Sequence, residues 1–221
     1  MRKIGTITKI EEQKNNPERI SIFVDGEFLL VIAKEIFLQY NLSKGDSLTE
    51  DEVFNLASDD EVVKAKSYAL NLLSYRKRSE LELKKRLKNK DYSKTSINQV
   101  IKILKRIGYV DDREFARLWI RDKQRKAKGP LQIKIELSKK GVAERIITAE
   151  MSNEYPMDKE KEIAREFISK RIKRYDNDSY QKKKRKLFQA LERRGFSFDI
   201  IHDLLAEFLT GVGEDETFSN E

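Results

Sequence analysis

Few residues in this chain could carry out catalysis. His202 is the only histidine, and acids cluster at residues 59–61 and 111–112. A histidine can act as a general base and clustered acids can hold the metal ions of a nuclease, but His202 lies beside an apolar helical stripe with no nucleophile to pair with. Acids at helix starts explain both clusters more simply, because they favour the positive end of the helix dipole. We therefore predict a non-enzymatic protein with no cofactor and no metal site.

The basic side chains are better candidates for functional residues than the histidine and the acids, because they can contact phosphate groups. A single basic run is most simply a solvated helix face, but here the runs recur at comparable positions of a sequence repeat, which favours a stripe that follows a phosphate backbone. Residues 125–128 and 182–185 are the strongest candidates. The predicted nucleic-acid- or filament-binding residues are Arg76, Lys77, Arg78, Lys84, Lys85, Arg121, Arg125, Lys126, Lys128, Lys182, Lys183, Lys184, Arg185, Arg193 and Arg194.

Aromatic side chains could stack on bases, but most of them fall at apolar helical positions. Core packing is the simpler interpretation for the set Tyr109, Phe115, Trp119, Phe188 and Phe196. Tyr75 lies next to Arg76 and is the aromatic residue that we would test for base stacking.

Charge is unevenly distributed along the chain. The net charge of the 221 residues is +8, but residues 1–60 carry −5, residues 211–221 carry −4 and residues 61–210 carry +17. A basic middle attracts polyanions. There is no cysteine, no apolar run approaches the roughly 20 residues of a membrane span, and the N-terminus does not resemble a signal peptide. These features predict a cytoplasmic protein that does not bind membranes.

The elements that must position the basic residues begin with a small sheet. Alternating apolar runs flank Asp25 and Gly26, a pair that favours a hairpin turn, and residues 33–40 predict a short helix. Beyond them the chain reads as successive helices. Capping-box spacing predicts helix starts at Thr49 with Glu52, Ser58 with Glu61, Ser79 with Glu82 and Asp111 with Glu114.

The helical part repeats. Leu83, Leu87 and Ile97 have counterparts 50 residues later and again 54 residues after that. These counterparts are Ile133, Leu137 and Ile147, then Leu187, Leu191 and Ile201. Each unit contains an amphipathic helix with a basic end, and Gly141 and Gly195 suit the left-handed position that ends a helix. The repeat length predicts three helices per unit, stacked as in repeat proteins.

The predicted fold is mainly α, with tandem three-helix repeats forming an elongated curved rod and a small N-terminal antiparallel β-sheet extension. The high charged share of 38%, against a usual share of about 25%, favours such a thin core. The predicted segments are the β-sheet extension with its short helix (1–57), the three repeats (58–108, 109–155 and 156–210) and an acidic disordered tail (211–221).

Three stretches of the repeats resemble the RecX family, the regulators of the RecA recombinase. Residues 69–83, 107–119 and 129–142 contain the patterns ALxLLxxRxRSExEL, IGYVDDxxFAxxW and GPxxIxxELxxKGV. The resemblance covers roughly residues 61–207, and Asp91 stands where the family usually has glycine. It implies a monomer that binds RecA filaments on single-stranded DNA and inhibits their ATPase, strand-exchange and coprotease activities in recombination and the SOS response. Binding to double-stranded DNA stays open.

Two other hypotheses account for the same charge pattern. A stand-alone nucleic-acid-binding protein would act without RecA and would bind naked DNA or RNA with a strong salt dependence. A protein-only adaptor would use the acidic N-terminal sheet as a docking module and its basic face for an acidic partner. A nuclease ranks last.

Overall fold

The computed structural model describes residues 2–209, and the predicted acidic tail at residues 211–221 lies outside this range. The described chain is mainly helical, with a small N-terminal sheet. In chain order its elements are β1 (Lys3–Gln13), β2 (Asn16–Val24), β3 (Glu27–Ala33), α1 (Lys34–Gln39), β4 (Ser47–Thr49), α2 (Glu50–Tyr75), α3 (Glu80–Lys88), α4 (Lys94–Arg106), α5 (Asp112–Arg125), α6 (Pro130–Lys139), α7 (Glu144–Glu154), α8 (Met157–Ile172), a 3₁₀ turn (Lys173–Tyr175), α9 (Tyr180–Glu192) and α10 (Phe198–Leu209).

The N-terminal sheet is antiparallel with the strand order β3-β2-β1-β4. The predicted hairpin is confirmed: Asp25 and Gly26 join β2 to β3 with φ of 49° and 91°, the left-handed conformation that such a tight turn requires. The fourth strand, Ser47–Thr49, pairs with the start of β1 and was not predicted.

A buried ion pair ties this sheet to α2. The guanidinium of Arg19 donates to Asp60 at 2.6 Å, and the backbone N–H of Ala33 donates to the same carboxylate at 2.7 Å. Burial alone would raise the pKa of Asp60, but the hydrogen bonds from Arg19, Lys64 and Ala33 outweigh it and hold this pKa below its usual value. Asp60, part of one acidic cluster, is therefore a structural residue.

Two of the predicted helix starts hold in detail. Thr49 and Glu52 form a reciprocal capping box at the start of α2, and the Asp111 carboxylate accepts the N–H groups of Arg113 and Glu114 at the start of α5. The start predicted at Ser58 is wrong, because α2 runs unbroken through this position. Glu61 instead accepts from the backbone N–H of Ser93 at 3.1 Å, at the start of α4.

The predicted repeat is confirmed by burial. The nine register residues from Leu83 to Ile201 are all buried, between 0% and 7% exposed. Each second helix ends in a left-handed residue, at Asp91, Gly141 and Gly195, with φ of 61°, 78° and 80°. The repeats comprise α2–α4, α5–α7 and α8–α10.

The described chain divides into two compact units. The first contains the residues up to Lys77 together with Glu82–Val110, and the second contains Arg78–Leu81 and the described residues from Asp111 onward. In the second unit, one hydrophobic cluster is shared by α5 to α10. The second and third repeats therefore form a common core.

A recurring joint in the second unit connects the end of one second helix with the start of an earlier one. The Gly129 N–H donates to the carbonyl oxygen of Arg194 at 2.8 Å, and the Leu131 N–H donates to that of Gly195 at 3.0 Å. At the matching position 50 residues earlier, the Ser79 hydroxyl donates to the carbonyl oxygen of Lys140 at 2.7 Å. These bonds satisfy polar groups that helix ends leave without helical partners.

Candidate nucleic-acid and filament interface

The first group of predicted cations surrounds the extended segment between α2 and α3. Arg76 ends α2, and its two terminal nitrogens bind the Glu82 carboxylate at 3.0 and 3.3 Å. The other four residues, Lys77, Arg78, Lys84 and Lys85, are exposed or half-exposed. This group lies at the surface, but Arg76 is held by the Glu82 carboxylate.

The second group lies at the end of α5, and its members differ in their partners. Arg121 forms a bidentate pair with Glu154 of α7 at 2.7 and 3.0 Å. Lys126 binds Asp122 at 2.8 Å, and Arg125 approaches the same carboxylate at 3.6 Å. The hydrogen bond from Lys126 is the largest factor that lowers the pKa of Asp122. Lys128 forms no ion pair with any described residue.

The third group occupies α9, where we define the lysine run as Lys182–Lys186. Lys182 and Lys186 both bind Asp178, at 3.1 and 2.6 Å. Lys184 lies over the ring of Tyr180 at 5.9 Å, and Arg185 is exposed. Two of the five cations in the run therefore share one aspartate that precedes the helix.

Lys183 is a correction to the predicted set, because it is only 8% exposed and its ammonium group approaches Asp176 at 3.5 Å. This burial takes Lys183 out of any surface that meets a phosphate backbone. The sequence held a signal for it: Lys183 lies one helical turn before the buried Leu187, on the apolar face of α9.

Arg194 also differs from its prediction as a simple surface cation. Its Nη1 group donates to the carbonyl oxygens of Lys126 and Ala127 at 2.6 and 2.9 Å. Burial, followed by the nearby charge of Arg171, lowers the pKa of Arg194. Arg194 therefore acts mainly by joining the end of α9 to the end of α5.

These contacts bring three basic segments together, residues 126–128, 171–174 and 193–194, which we call the junction cluster. The segment 171–174 is a basic run of the sequence that the predicted binding set did not include. Within the cluster, Lys126 alone forms an ion pair with a described residue. The structure thus collects mostly unpaired cations from three segments that are far apart in the chain.

The candidate catalytic residues are not assembled into a site. His202 is exposed and packs on the ring of Phe198, with ring centroids 4.3 Å apart. Asp59 accepts a hydrogen bond from Tyr40, and Asp112 accepts one from the backbone of Glu80. Among residues 2–209, no group of three histidine or acidic side chains could hold a metal ion.

The core position predicted for most of the aromatic residues is found for some of them and not for others. Phe115 and Phe196 are buried, whereas Tyr75 is 78% exposed and Tyr109 51% exposed. Trp119 donates to Glu136 at 3.1 Å, and the ammonium groups of Lys123 and Lys140 lie 4.4 and 4.1 Å from the centroid of its ring. Of these residues, Tyr75 has the ring most accessible to a base.

Within the described range, no helix is both long and apolar enough to span a bilayer.

Family models match four consecutive parts of the chain. The Regulatory protein RecX N-terminal domain matches residues 5–49, and the first, second and third RecX three-helix domains match residues 65–104, 111–151 and 158–205.

Relatives and solved structures agree with these matches. The Regulatory protein RecX of Bacillus pumilus (strain SAFR-032) is 34% identical over 95% of this chain and 80% of its own length, and that of Bacillus cytotoxicus is 35% identical over 92% and 77%. A crystal structure of regulatory protein RecX superposes with a TM-score of 0.76 at 29% identity, over 92% of this chain and 100% of that one. The crystal structure of RecX from Lactobacillus salivarius gives 0.63 at 32%, over 67% and 97%. The chain belongs to the RecX family of regulatory proteins.

Proposed function

We propose that this protein binds the filament that RecA forms on single-stranded DNA and inhibits its ATPase, strand-exchange and coprotease activities. The observation that supports the proposal most strongly is the match of four RecX domains in order, from residue 5 to residue 205. The protein acts as a non-enzymatic monomer in the cytoplasm, through RecA regulation in recombination and the SOS response.

Binding alone can produce such regulation. A RecA filament presents the same protein and DNA surfaces at regular intervals, so several modest contacts from tandem repeats add up along one lattice. The junction cluster supplies cations for the DNA phosphates, and the other basic groups supply further contacts to DNA or to RecA. One bound molecule then affects the growth or turnover of many RecA subunits.

The test is the single-stranded-DNA-dependent ATPase of RecA, with this protein added at about one-tenth of the RecA concentration. RecA is bound to excess DNA first, so that competition for free DNA cannot lower turnover. We expect turnover to fall. Unchanged turnover would contradict the proposal.

A second function is favoured by the uncompensated charge of the junction cluster: stand-alone binding of nucleic acid without RecA. This function predicts tight, strongly salt-dependent binding to naked single-stranded DNA with no effect on RecA turnover. Measuring both quantities on one preparation distinguishes the two functions.

A further inference from the structure

The junction cluster contains two guanidinium groups that share one aromatic ring. The guanidinium carbon of Arg194 lies 4.3 Å from the centroid of Phe167, and that of Arg171 lies 5.1 Å from it. Phe167 projects from α8 and is partly buried against the core of the second unit. The two cations are therefore held near each other by packing.

The two groups differ in how their donors are used. Arg194 donates from Nη1 to two carbonyl oxygens at the end of α5, which have the partial negative charge of a helix C-terminus. Arg171 donates from Nε to the Tyr175 hydroxyl at 3.4 Å, and its two Nη groups bind no described residue. Arg171 thus keeps the paired donors with which a guanidinium grips a phosphate.

The charge around Arg171 is not compensated locally. Neither Arg171 nor Arg194 forms an ion pair with a described residue, and the same holds for Lys128, Lys173 and Arg174. Like charges that packing holds together repel each other, and an anion that binds between them relieves this repulsion. Several such cations in one place favour a polyanion over a single carboxylate.

We propose that Arg171, held in place by Phe167 and Arg194, binds a backbone phosphodiester of single-stranded DNA at the junction of the second and third repeats. This inference rests on the proposed function and specifies which part of the basic surface contacts DNA. Arg171 binds the phosphate through its Nη groups, whereas Arg194 is a positioning residue whose donors stay with the carbonyl groups. Lys128, Lys173 and Arg174 add charge around the same phosphate path.

The experiment compares Arg171→Gln with the matched control Lys170→Gln in the full chain. Both changes remove one positive charge from neighbouring positions, but Lys170 is exposed and already bound to Glu166 at 2.5 Å. Affinity for a labelled single-stranded oligonucleotide is measured by fluorescence anisotropy across a salt series. We expect Arg171→Gln to weaken binding roughly tenfold at low salt, as for the loss of a hydrogen bond to a charged group. The log–log salt slope should fall by about 0.7, and Lys170→Gln should change neither quantity.

A conservative variant separates charge from geometry. Arg171→Lys keeps the charge but not the paired donors, so it should retain the salt slope and lose part of the affinity. Equal melting temperatures for the three variants and the native chain would show that the fold is intact. A slope for Arg171→Gln that equals that of Lys170→Gln would overturn the inference.

The ATPase assay distinguishes this inference from the proposed function. If the native chain inhibits RecA and Arg171→Gln leaves the salt slope unchanged, the phosphate site is wrong and the proposed function stands. If Arg171→Gln lowers the slope but the native chain leaves RecA turnover unchanged, the phosphate site stands alone. An unchanged slope with weaker binding to RecA would assign Arg171 to an acidic protein surface and overturn the phosphodiester.

Discussion

The lysine run of α9 and the junction cluster contain similar residues but present their charge differently. In the lysine run, Asp178 binds both Lys182 and Lys186, and Lys183 is buried. In the junction cluster, the cations come from separate segments, and carboxylates compensate few of them. The run is the denser of the two in sequence, whereas the cluster has more charge available to a ligand.

This difference teaches that positive charge along a helix does not measure affinity for phosphate. An aspartate at a helix start can bind lysines one and two turns further on, and burial makes other lysines inaccessible. Cations become available where the fold brings together segments that lack nearby acids. The following predictions test that comparison, in order of decreasing expected effect.

The largest effect should come from breaking the joint that assembles the junction cluster. A Cβ on Gly129 would lie 2.2 Å from the backbone of Gly195 and Phe196, so Gly129→Ala should destabilise the protein by about 3 kcal/mol. The control is Gly108→Ala, where φ is 77° and no atom lies within 4 Å. Its backbone strain alone should cost about 1 kcal/mol. Urea unfolding measures both, and equal losses would show that the joint adapts to the added methyl group.

Removing two positive charges from the junction cluster should change the salt dependence of DNA binding more than removing two from the lysine run. Lys128→Gln with Arg193→Gln should lower the salt slope for single-stranded DNA by about 1.4, because two phosphate contacts are lost. Lys182→Gln with Lys186→Gln removes the same charge but should lower the slope less, because both ammonium groups are held by the Asp178 carboxylate. Equal slopes in anisotropy titrations would contradict the comparison.

Removing the carboxylate that binds the lysine run should make its cations available to DNA, as those of the junction cluster are. Asp178→Asn removes the shared carboxylate, and we expect it to raise the affinity for single-stranded DNA roughly threefold, the scale of an exposed ion pair. Glu166→Gln is the control, because it frees only Lys170 outside both regions. No gain for Asp178→Asn would mean that the run faces away from the DNA.

The ion pairs of Asp178 with Lys182 and Lys186 predict that DNA binding by the lysine run depends on pH. The hydrogen bond from Lys186 is the largest effect on Asp178, and with that from Lys182 it holds the pKa of this carboxyl below its usual value. The ion pairs therefore stabilise the fold above the usual aspartate pKa, and this contribution is lost as the pH falls through the lowered value. The affinity gain of Asp178→Asn should shrink over that acidic range in titrations at stepped pH, and a constant gain would contradict this account.

The smallest effect on DNA binding should come from a hydrogen bond under the junction cluster. Tyr155 is buried, and its hydroxyl donates to the carbonyl oxygen of Lys128 at 2.9 Å. Tyr155→Phe should lower stability by about 1 kcal/mol without changing the salt slope, because no cation is removed. Thermal unfolding and the anisotropy series test the two parts separately. A changed slope would show that the position of Lys128 depends on this bond.

Much of the fold could be predicted from the sequence, because local chemistry determines it. The register of Leu87, Leu137 and Leu191 identified the repeats, and Asp25 with Gly26 identified a hairpin. The strand Ser47–Thr49 was missed because three residues are too short for an alternating pattern. The helix start predicted at Ser58 was wrong because capping-box spacing also occurs within long helices.

The candidate interface was less predictable, because ion pairing depends on contacts between distant segments. Nothing near Arg121 in the sequence shows that Glu154 will bind it, and nothing near Arg171 shows that its Nη groups will have no carboxylate. A basic run identifies the charge that is present. Only the folded chain shows how much of it is left for a partner.

The joint between second helices has a consequence for how such a chain can lengthen or shorten. The second repeat has both halves of the joint, because Gly129 donates at the start of its second helix and the Lys140 carbonyl accepts at the end of that helix. A gene duplication that copies the second repeat therefore also copies a matching pair of surfaces. A chain with this joint can gain such a module without evolving a new contact, provided that the break falls between repeats.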